Sequence, residues 1–376
     1  MNASSRPLRV LLATTDFPPM EGGIQLLLSR LVTHATRCSF TVVTFATRAA
    51  PREPEALETA LPLEIVRINE LRDRRAAVLR LNLATLAAAR RRRPDVLLAG
   101  HIALGPAAIA AKLLWNVPFV QYTHAKELVH HTEMARRVFA RADATIAVSS
   151  HTRGLVVERG APEERIALIH PGADSPTDPL GETDRNGPPT IVTVSRMVEE
   201  YKGLDVVLRA LPLVAARVPD VRWTVIGDGP LLEPLRETAR SWGLAERVEL
   251  TGALSDSERD RRLAGSKVFV MPARLGSTGG EGFGIAYLEA GACGLPSVAG
   301  NVGGATEAVI NGETGVLVDP TDHVAVADAI TDLLLDPKRA ASMGDAGRRY
   351  AAEHSWQRMA EEVEELLERV ARNTHR

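Results

Sequence analysis

The stretch from Leu8 to Gln25, LRVLLATTDFPPMEGGIQ, holds a strand-length apolar run, a polar loop and a pair of glycines that open a helical segment. A strand that leads through such a loop into a helix is the first half of a βαβ unit, from which parallel sheets are built. Gly22 and Gly23 allow backbone N–H groups to approach an anion closely at a helix N-terminus, which carries partial positive charge. A plain glycine turn between strand and helix is the alternative interpretation.

The alternation of short apolar runs and helix-length segments continues along the whole chain, as expected for parallel sheets covered by helices. In the N-terminal half the predicted strands are Leu8–Thr14, Phe40–Thr44, Leu63–Ile68, Val96–Ala99, Phe119–Tyr122, Ala144–Val148 and Ile166–Ile169. In the C-terminal half they are Thr190–Val194, Arg222–Ile226, Arg247–Leu250, Val268–Met271, Ser297–Ala299 and Gly315–Val318. The pattern predicts an α/β fold of two Rossmann-like domains whose parallel sheets face a central cleft.

The boundary between the two series is a polar stretch, SPTDPLGETDRNGPP, whose prolines and glycines disfavour helix and strand alike. It predicts a linker at 175–189 between an N-terminal domain over 1–174 and a C-terminal domain over 190–354. The last segment, 355–376, has the pattern of a charged amphipathic helix. A chain of 376 residues is also longer than one hydrophobic core usually organises.

Composition excludes several classes of protein. Hydrophobic residues make up 45% of the chain and charged residues 24%, which is typical of a soluble globular protein. A formal net charge of −2 gives no basic field for nucleic acid. The two cysteines, Cys38 and Cys293, lack the spacing of a disulfide framework or a zinc site. The first apolar run meets Asp16 and Pro18 before a signal-peptide core develops, so we expect a cytoplasmic protein.

Ligands of open parallel sheets bind beyond the carboxyl ends of the strands, so the loops there are the candidate sites. Arg196 and Lys202 lie six residues apart in one such loop. Two converging cations suit a diphosphate leaving group, whose developing charge must be neutralised. Solvated surface cations are the alternative interpretation of the same pair.

The richest loop is EGFGIAYLEAGACGLP, from Glu281 to Pro296. If a helix begins near Gly284, Glu281 lies in the preceding loop and Glu289 projects from the second turn. Such a loop offers backbone N–H groups to phosphate or sugar, and a carboxylate to sugar hydroxyls. Helix capping alone is the alternative role for Glu281.

Two further loops are weaker candidates. The turn at Gly227-Asp-Gly229 resembles the start of a dinucleotide fingerprint, but Leu232 stands where the third glycine belongs, so we interpret it as a tight turn. His124 directly follows a predicted strand at its carboxyl end and His101 follows another, although a lone histidine is more often structural. His130 and His131 lack partners at ligand spacing, so no metal site is predicted.

Taken together, Gly22-Gly23, Arg196, Lys202 and the spaced Glu281 and Glu289 resemble the donor site of the retaining GT-B glycosyltransferases, specifically glycosyltransferase family 4. The resemblance covers nearly the whole chain. DFPPMEGGIQ and MPARLGSTGGEGFGIAYLEAGACGLP are most similar to bacterial mannosyltransferases that act on phosphatidylinositol mannosides. In the segment THAKE, Lys126 stands where those relatives often have a second histidine.

The resemblance implies a retaining, metal-independent hexosyltransferase with no cofactor, which uses a nucleotide diphosphate sugar, GDP-mannose being favoured, and a hydroxyl acceptor of the glycolipid class. The closing helix is expected to return to the N-terminal domain. The resemblance implies that Gly23 contacts the donor phosphates through its backbone and that Arg196 and Lys202 bind the diphosphate. It implies that Glu281 binds donor-sugar hydroxyls, with backbone amides presented by Gly282, Phe283 and Gly284. Glu289 is expected to bind the ribose, and His124 is expected to lie beside the transferred sugar.

Other functions remain open at this point. They are a transferase for a UDP-sugar and a soluble acceptor, a nucleotide-sugar-binding protein without activity, and an NAD-type oxidoreductase built on the Gly227 turn. The segment from Arg67 to Arg93 concentrates arginines beside Leu and Ala at mostly helical spacing. It predicts either peripheral contact with the inner membrane face or an ordinary surface helix whose apolar stripe packs on the sheet.

Overall fold

The structure, a computed structural model, describes residues 6–46, 62–130, 132–174, 176, 187–276 and 279–374. The chain forms two compact units, Met1–Pro171 with Trp356–Arg376, and Gly172–Ser355. Most of the expected linker, residues 175 and 177–186, lies outside the described residues, as does His131.

The N-terminal unit contains a sheet of seven parallel strands. They are β1 (Leu8–Ala13), β2 (Cys38–Ala46), β3 (Leu63–Asn69), β4 (Val96–Ala99), β5 (Phe119–Thr123), β6 (Ala144–Ala147) and β7 (Ile166–Leu168). Their order across the sheet is β3-β2-β1-β4-β5-β6-β7, and the four residues of β4 are buried on both faces. The order reverses between β1 and β4, which makes the crevice beyond their carboxyl ends the expected ligand position.

The second unit has the same topology with six strands. They are β8 (Thr190–Val194), β9 (Arg222–Ile226), β10 (Val248–Gly252), β11 (Val268–Met271), β12 (Ser297–Gly300) and β13 (Gly315–Val318). Their order is β10-β9-β8-β11-β12-β13, and every pairing is parallel. The switch point lies between β8 and β11. The predicted pair of parallel α/β domains is confirmed.

Helices cover these sheets. They are α1 (Gly23–His34), α2 (Arg74–Arg92), α3 (Gly105–Trp115), α4 (Ala125–His130), α5 (Thr132–Phe139), α6 (Ser150–Glu158), α7 (Leu204–Arg217), α8 (Leu232–Ser241), α9 (Asp256–Gly265), α10 (Ile285–Ala292), α11 (Ala305–Ala308), α12 (His323–Leu335), α13 (Pro337–Glu353) and α14 (Trp356–Thr374). Their apolar faces pack on the strands, as in the core cluster around Trp223, Leu211 and Ile330 of the second unit.

The predicted strand positions agree with the structure to within one or two residues at most ends. The assignment of Arg247 to a strand is wrong, because Ala245–Arg247 forms a 3₁₀ turn and β10 begins at Val248. The guanidinium of Arg247 donates to the backbone carbonyls of Pro219 and Val221, to the latter at 3.4 Å.

The closing helix α14 packs in the N-terminal unit against α1, β4 and β5. Its Glu364 is fully buried, and one carboxylate oxygen accepts hydrogen bonds from the backbone N–H groups of Arg37 at 2.6 Å and Cys38 at 2.8 Å. The Arg37 guanidinium lies 3.4 Å from the second oxygen. The buried charge is therefore matched by donors at the point where β2 begins.

The basic segment from Arg67 to Arg93 is not one helix, because its first three residues belong to β3 and α2 begins at Arg74. The apolar residues that α2 buries, among them Leu81 and Ala88, pack in the core of the N-terminal unit, as in an ordinary surface helix. Leu79 and Leu83 remain 62% and 58% exposed. No helix in the described part of the chain is both long enough and apolar enough to span a bilayer.

Candidate active site

Lys202 and Glu281 meet at the switch point of the second sheet, although 79 positions separate them in the chain. Lys202 ends a 3₁₀ turn in the loop after β8, and Glu281 lies in the loop after β11. The Lys202 Nζ donates to Glu281 Oε2 at 2.5 Å, and it also lies 5.2 Å from the centre of the Tyr201 ring. Burial lowers the pKa of Lys202, but Glu281, Tyr201 and Glu199 together raise it above its ordinary value, so the ammonium stays charged.

Arg196 leaves the same loop six residues earlier and is half exposed. Its guanidinium lies 3.8 Å from Glu199, whose side chain is 9% exposed. The Arg196 side chain is 50% exposed, whereas that of Lys202 is 15% exposed. Together they place two positive charges on one loop at the carboxyl edge of the sheet.

The loop that carries Arg196 is supported by the turn at Gly227. This is the turn whose sequence resembles the start of a dinucleotide fingerprint. Gly227 has a φ of 136°, and a Cβ there would lie 1.9 Å from the carbonyl oxygen of Ser195. Met197 donates its backbone N–H to the Asp228 carbonyl at 2.9 Å and accepts from Leu231 at 2.9 Å. The turn therefore has a local purpose, which is to hold the Arg196 loop at close range.

The residues Gly282, Phe283 and Gly284 connect Glu281 to α10. Phe283 is 2% exposed, and Gly284 is the N-cap of the helix with a φ of 105°, as the predicted helix start requires. Gly304, in the loop after β12, packs so closely that a Cβ would lie 2.2 Å from the Gly282 carbonyl oxygen, and its N–H donates to the Glu281 carbonyl at 2.9 Å. These contacts fix the backbone from which Glu281 projects.

Glu289 projects from the second turn of α10, as predicted, and its neighbour is a cation that the sequence did not single out. Arg259 Nη1 in α9 lies 3.6 Å from Glu289 Oε1. Burial raises the pKa of the Glu289 carboxyl, and Arg259 opposes that rise. Glu289 and Glu281 therefore have different cationic partners, Arg259 and Lys202.

In the N-terminal unit, Gly22 is the N-cap of α1 and Gly23 is its first residue. The loop before them is tied to the helix by Gln25, whose Nε2 donates to Asp16 Oδ1 at 2.9 Å. The Thr15 hydroxyl donates to the other carboxylate oxygen at 2.5 Å. The loop is therefore ordered at the helix start, where backbone N–H groups attract anions.

His124 is 7% exposed at the end of β5, and its ring stacks on that of Tyr122 with centroids 5.4 Å apart. Burial lowers the pKa of His124 to about 4, and the Gly100 backbone hydrogen bond partly opposes this shift. Among the described residues, its Nε2 has no hydrogen-bond partner. A neutral ring bonded to Gly100 through the other nitrogen presents this atom as an acceptor.

Glu127 is the residue of this region that sequence reasoning missed. Its carboxylate accepts hydrogen bonds from the backbone N–H groups of His124 at 3.0 Å and Ile102 at 2.7 Å, and lies 3.4 Å from His101 Nε2. His101 Nδ1 accepts from the Ala103 N–H at 3.1 Å. His124 directly precedes α4, and Glu127 follows it by three residues. A glutamate at this spacing forms the second half of a capping box, so the spacing was a signal that the sequence offered.

The remaining histidines do not form a metal centre in the described chain. The described residues contain no group of three or more His, Cys, Asp or Glu side chains placed to bind a metal ion.

The sequence analysis missed Arg259 because a charged residue on a polar helix carries no signal of its own.

Comparison with known proteins matches both halves of the chain to families of transferases. The family described as Glycosyltransferase Family 4 matches residues 21–175, and the family described as Glycosyl transferases group 1 matches residues 178–350. The first match falls largely within the N-terminal unit, and the second lies within the other unit.

Similar proteins match almost the whole chain. This chain is 35% identical over 385 residues to the GDP-mannose-dependent alpha-(1-6)-phosphatidylinositol monomannoside mannosyltransferase of Mycolicibacterium smegmatis, and the match covers 95% of this chain and 98% of that protein. The protein of the same name from Mycobacterium tuberculosis is 34% identical, with 96% and 98% covered. A solved structure of HepE from Anabaena with UDP and glucose superposes with a TM-score of 0.78 at 20% identity, covering 96% and 99% of the two chains.

Proposed function

The chain belongs to glycosyltransferase family 4, and we propose that it transfers mannose from GDP-mannose to a hydroxyl group of a phosphatidylinositol mannoside. That it is a glycosyltransferase using a nucleotide sugar follows from the family. The choice of GDP-mannose and of a glycolipid acceptor rests on the names of relatives that are 31–35% identical over almost the full chain.

The observation that carries the proposal is the pair formed by Lys202 and Glu281. An ammonium group has three N–H donors, and Glu281 takes one of them at 2.5 Å. The other two are available to phosphate oxygens of a donor. Glu281 likewise keeps lone pairs for sugar hydroxyls. One ion pair thus joins a diphosphate-binding group to a sugar-binding group, as a nucleotide sugar requires.

We further propose that each predicted site residue acts on this donor. Arg196 adds a second positive charge to the diphosphate, and Glu289 binds the ribose. The proposed contacts of the remaining residues are the donor phosphates for Gly22 and Gly23, backbone amides to the donor for Gly282, Phe283 and Gly284, and the transferred sugar for His124.

The proposed reaction retains the anomeric configuration and needs neither a metal ion nor a cofactor. The bond between the sugar C1 and the phosphate oxygen breaks while the acceptor oxygen bonds to C1 on the same face. The acceptor proton passes to a leaving diphosphate oxygen, so no side chain acts as a strong base. Lys202 and Arg196 stabilise the charge that develops on the diphosphate. Trapping of the sugar on a side chain would contradict this route.

The experiment is a donor and acceptor matrix. GDP-mannose, GDP, UDP-glucose and UDP are compared by shift in melting temperature, and the GDP- and UDP-sugars are then assayed for transfer to phosphatidylinositol mannoside and to soluble polyols. The proposal expects stabilisation by GDP compounds and an α-linked product on the lipid acceptor. Stabilisation by UDP compounds alone would show that the donor is a UDP-sugar rather than GDP-mannose. A product with inverted anomeric configuration would contradict the retaining mechanism.

A further inference from the structure

The Arg259 guanidinium faces the Glu289 carboxylate and is mostly shielded from solvent. Arg259 lies in the first turn of α9, and its side chain is 23% exposed. Its Nη1 lies 3.6 Å from Glu289 Oε1 and 3.1 Å from Asp256 Oδ1, while Nε and Nη2 donate to Asp260 Oδ1 at 3.3 and 3.1 Å. Two aspartates of the same helix, Asp256 and Asp260, therefore hold the guanidinium, and its Nη1 faces Glu289 in α10.

The carboxylate it faces is buried and surrounded by like charges. Glu289 is 16% exposed, and it feels Asp256, Asp260 and Asp174 as well as Arg259. Burial and the three aspartates favour the protonated form, and Arg259 favours the ionised form. At 3.6 Å the contact is an ion pair rather than a hydrogen bond, so the lone pairs of Glu289 can accept hydrogen bonds from a ligand.

We propose that Arg259 is the positioning residue for the donor ribose, because its ion pair with Glu289 orients that carboxylate to accept hydrogen bonds from both ribose hydroxyls. The inference rests on the role proposed above for Glu289 and adds a residue outside the loops that touch the donor. The planar fork of Arg259 matters, because two of its nitrogens bind Asp260 and thereby fix the direction of the third.

The test measures how much the protein prefers a nucleoside diphosphate with ribose hydroxyls over one without them. GDP and 2′,3′-dideoxy-GDP are titrated calorimetrically into wild type, Glu289→Ala, Arg259→Met and Arg259→Lys. If UDP is the ligand bound, the uridine pair is used. Arg261→Met is the matched control, since Arg261 is an exposed arginine of the same helix.

Hydroxyl groups bound to a carboxylate should give wild type a roughly 10- to 100-fold preference for GDP. Glu289→Ala and Arg259→Met are both expected to lose most of that ratio while their affinity for the dideoxy compound stays within about two-fold. Arg259→Lys should lie between, and Arg261→Met should match wild type. Should Arg259→Met unfold at the assay temperature, Arg259→Gln is measured by the same ratio.

The two hypotheses fail differently. If Glu289→Ala loses the preference and Arg259→Met keeps it, the inference is overturned and the ribose role of Glu289 stands. An equal loss of affinity for both nucleotides in Arg259→Met also overturns it, because Arg259 would then act on the overall charge. If Glu289→Ala keeps the preference, the ribose role itself is wrong and the inference falls with it.

Discussion

The carboxylate of Glu127 accepts the backbone N–H of Ile102 at 2.7 Å, so one buried group joins the loops that follow two neighbouring strands. The same carboxylate accepts the N–H of His124 at 3.0 Å. The position of His124 at the end of β5 therefore depends on a residue of α4, and a change at Glu127 should be felt at His124.

We predict that Glu127→Ala lowers kcat by roughly 10- to 100-fold with little change in KM for the donor, because two buried N–H donors lose their acceptor and the loop shifts. Activity is measured by steady-state kinetics and folding by thermal unfolding. Arg137→Ala, at an exposed position of the neighbouring helix α5, is the control and should behave as wild type. A loss confined to KM would show that Glu127 does not act through the reacting sugar.

Glu127 also predicts a pH dependence of stability. Burial raises the pKa of Glu127 to about 8, whereas the two backbone hydrogen bonds oppose that shift and the nearby Asp16 adds to it. Between pH 4.5 and 8 the folded state then binds more protons than the unfolded state, so this group's contribution to stability falls as pH rises. The melting temperature of Glu127→Gln relative to wild type should therefore rise across that range. A constant difference from pH 5 to 8 would contradict the raised pKa.

The sequence predicted the elements well because strand periodicity, loop glycines and the helix start at Gly284 are local signals. It also predicted that Lys202 and Glu281 lie at the carboxyl edge of one sheet, since parallel strands bring their following loops together. It did not predict their direct contact. That contact depends on the side-chain rotamers of two loops and on supports such as Gly304, which no local pattern reveals.

The residues that sequence reasoning missed share one property, namely that each has partners on another element of the fold. Arg259 looks like any charge on a polar helix until α10 is packed beside it, and Glu127 looks like an exposed helix-start residue until β4 and β5 are paired. Arg247 shows the reverse error, because the strand-like pattern extends one residue into a 3₁₀ turn that precedes β10. Such outcomes are decided by tertiary contacts.

The two cations of the loop after β8 should be required for turnover. Arg196→Ala and Lys202→Ala each remove charge from the leaving diphosphate, and each is expected to lower kcat by roughly 100- to 1,000-fold. Arg209→Ala, an exposed arginine of α7, is the control for a general loss of positive charge. If both site variants kept more than about a tenth of wild-type kcat, the placement of the diphosphate would be wrong.

Lys202→Ala carries a second consequence, since it leaves the Glu281 carboxylate, 14% exposed, without its ammonium partner. Lys202→Ala should lower the melting temperature more than Arg196→Ala, because the Lys202 side chain is 15% exposed and that of Arg196 is 50% exposed. Equal melting temperatures for the two variants would show that the buried pair does not contribute to stability.

Activity should be indifferent to chelators, because Arg196 and Lys202 supply the positive charge that a metal ion would otherwise bring to the diphosphate. Initial rates are compared in EDTA, in Mg²⁺ and in Mn²⁺ after metal stripping. Abolition by EDTA and recovery with either ion would contradict the proposed mechanism, and Asp16 would then be the first carboxylate to test.

The buried Glu364 of α14 should be needed for the stability of the N-terminal unit. Glu364→Ala removes the acceptor for the N–H groups of Arg37 and Cys38, and each orphaned donor costs roughly 1–3 kcal/mol. Glu365→Ala on the exposed face of the same helix is the control. Urea unfolding of both variants measures the difference, and a loss below about 0.5 kcal/mol would contradict the bonding described.

A glycolipid acceptor requires the enzyme to reach a bilayer, and α2 carries the surface we expect to do so. Arg75, Leu79, Leu83 and Arg90 are exposed and share one side of the helix, with two arginines flanking two leucines. Such a face can place leucines among lipid headgroups while arginines pair with phosphates. Wild type is therefore expected to sediment with anionic vesicles at low salt, to be released as salt rises, and to ignore neutral vesicles.

The double variant Leu79→Ser/Leu83→Ser should lose most of this sedimentation and most of its activity on vesicle-borne acceptor, while donor hydrolysis stays at the wild-type rate. Leu213→Ser is the matched control, because Leu213 is 41% exposed on α7 of the other unit. Salt-insensitive binding, or equal losses in both variants, would argue against a specific surface on α2. If wild type does not sediment with anionic vesicles even at low salt, the lipid acceptor loses its place, and a soluble polyol or aglycone becomes the acceptor to test.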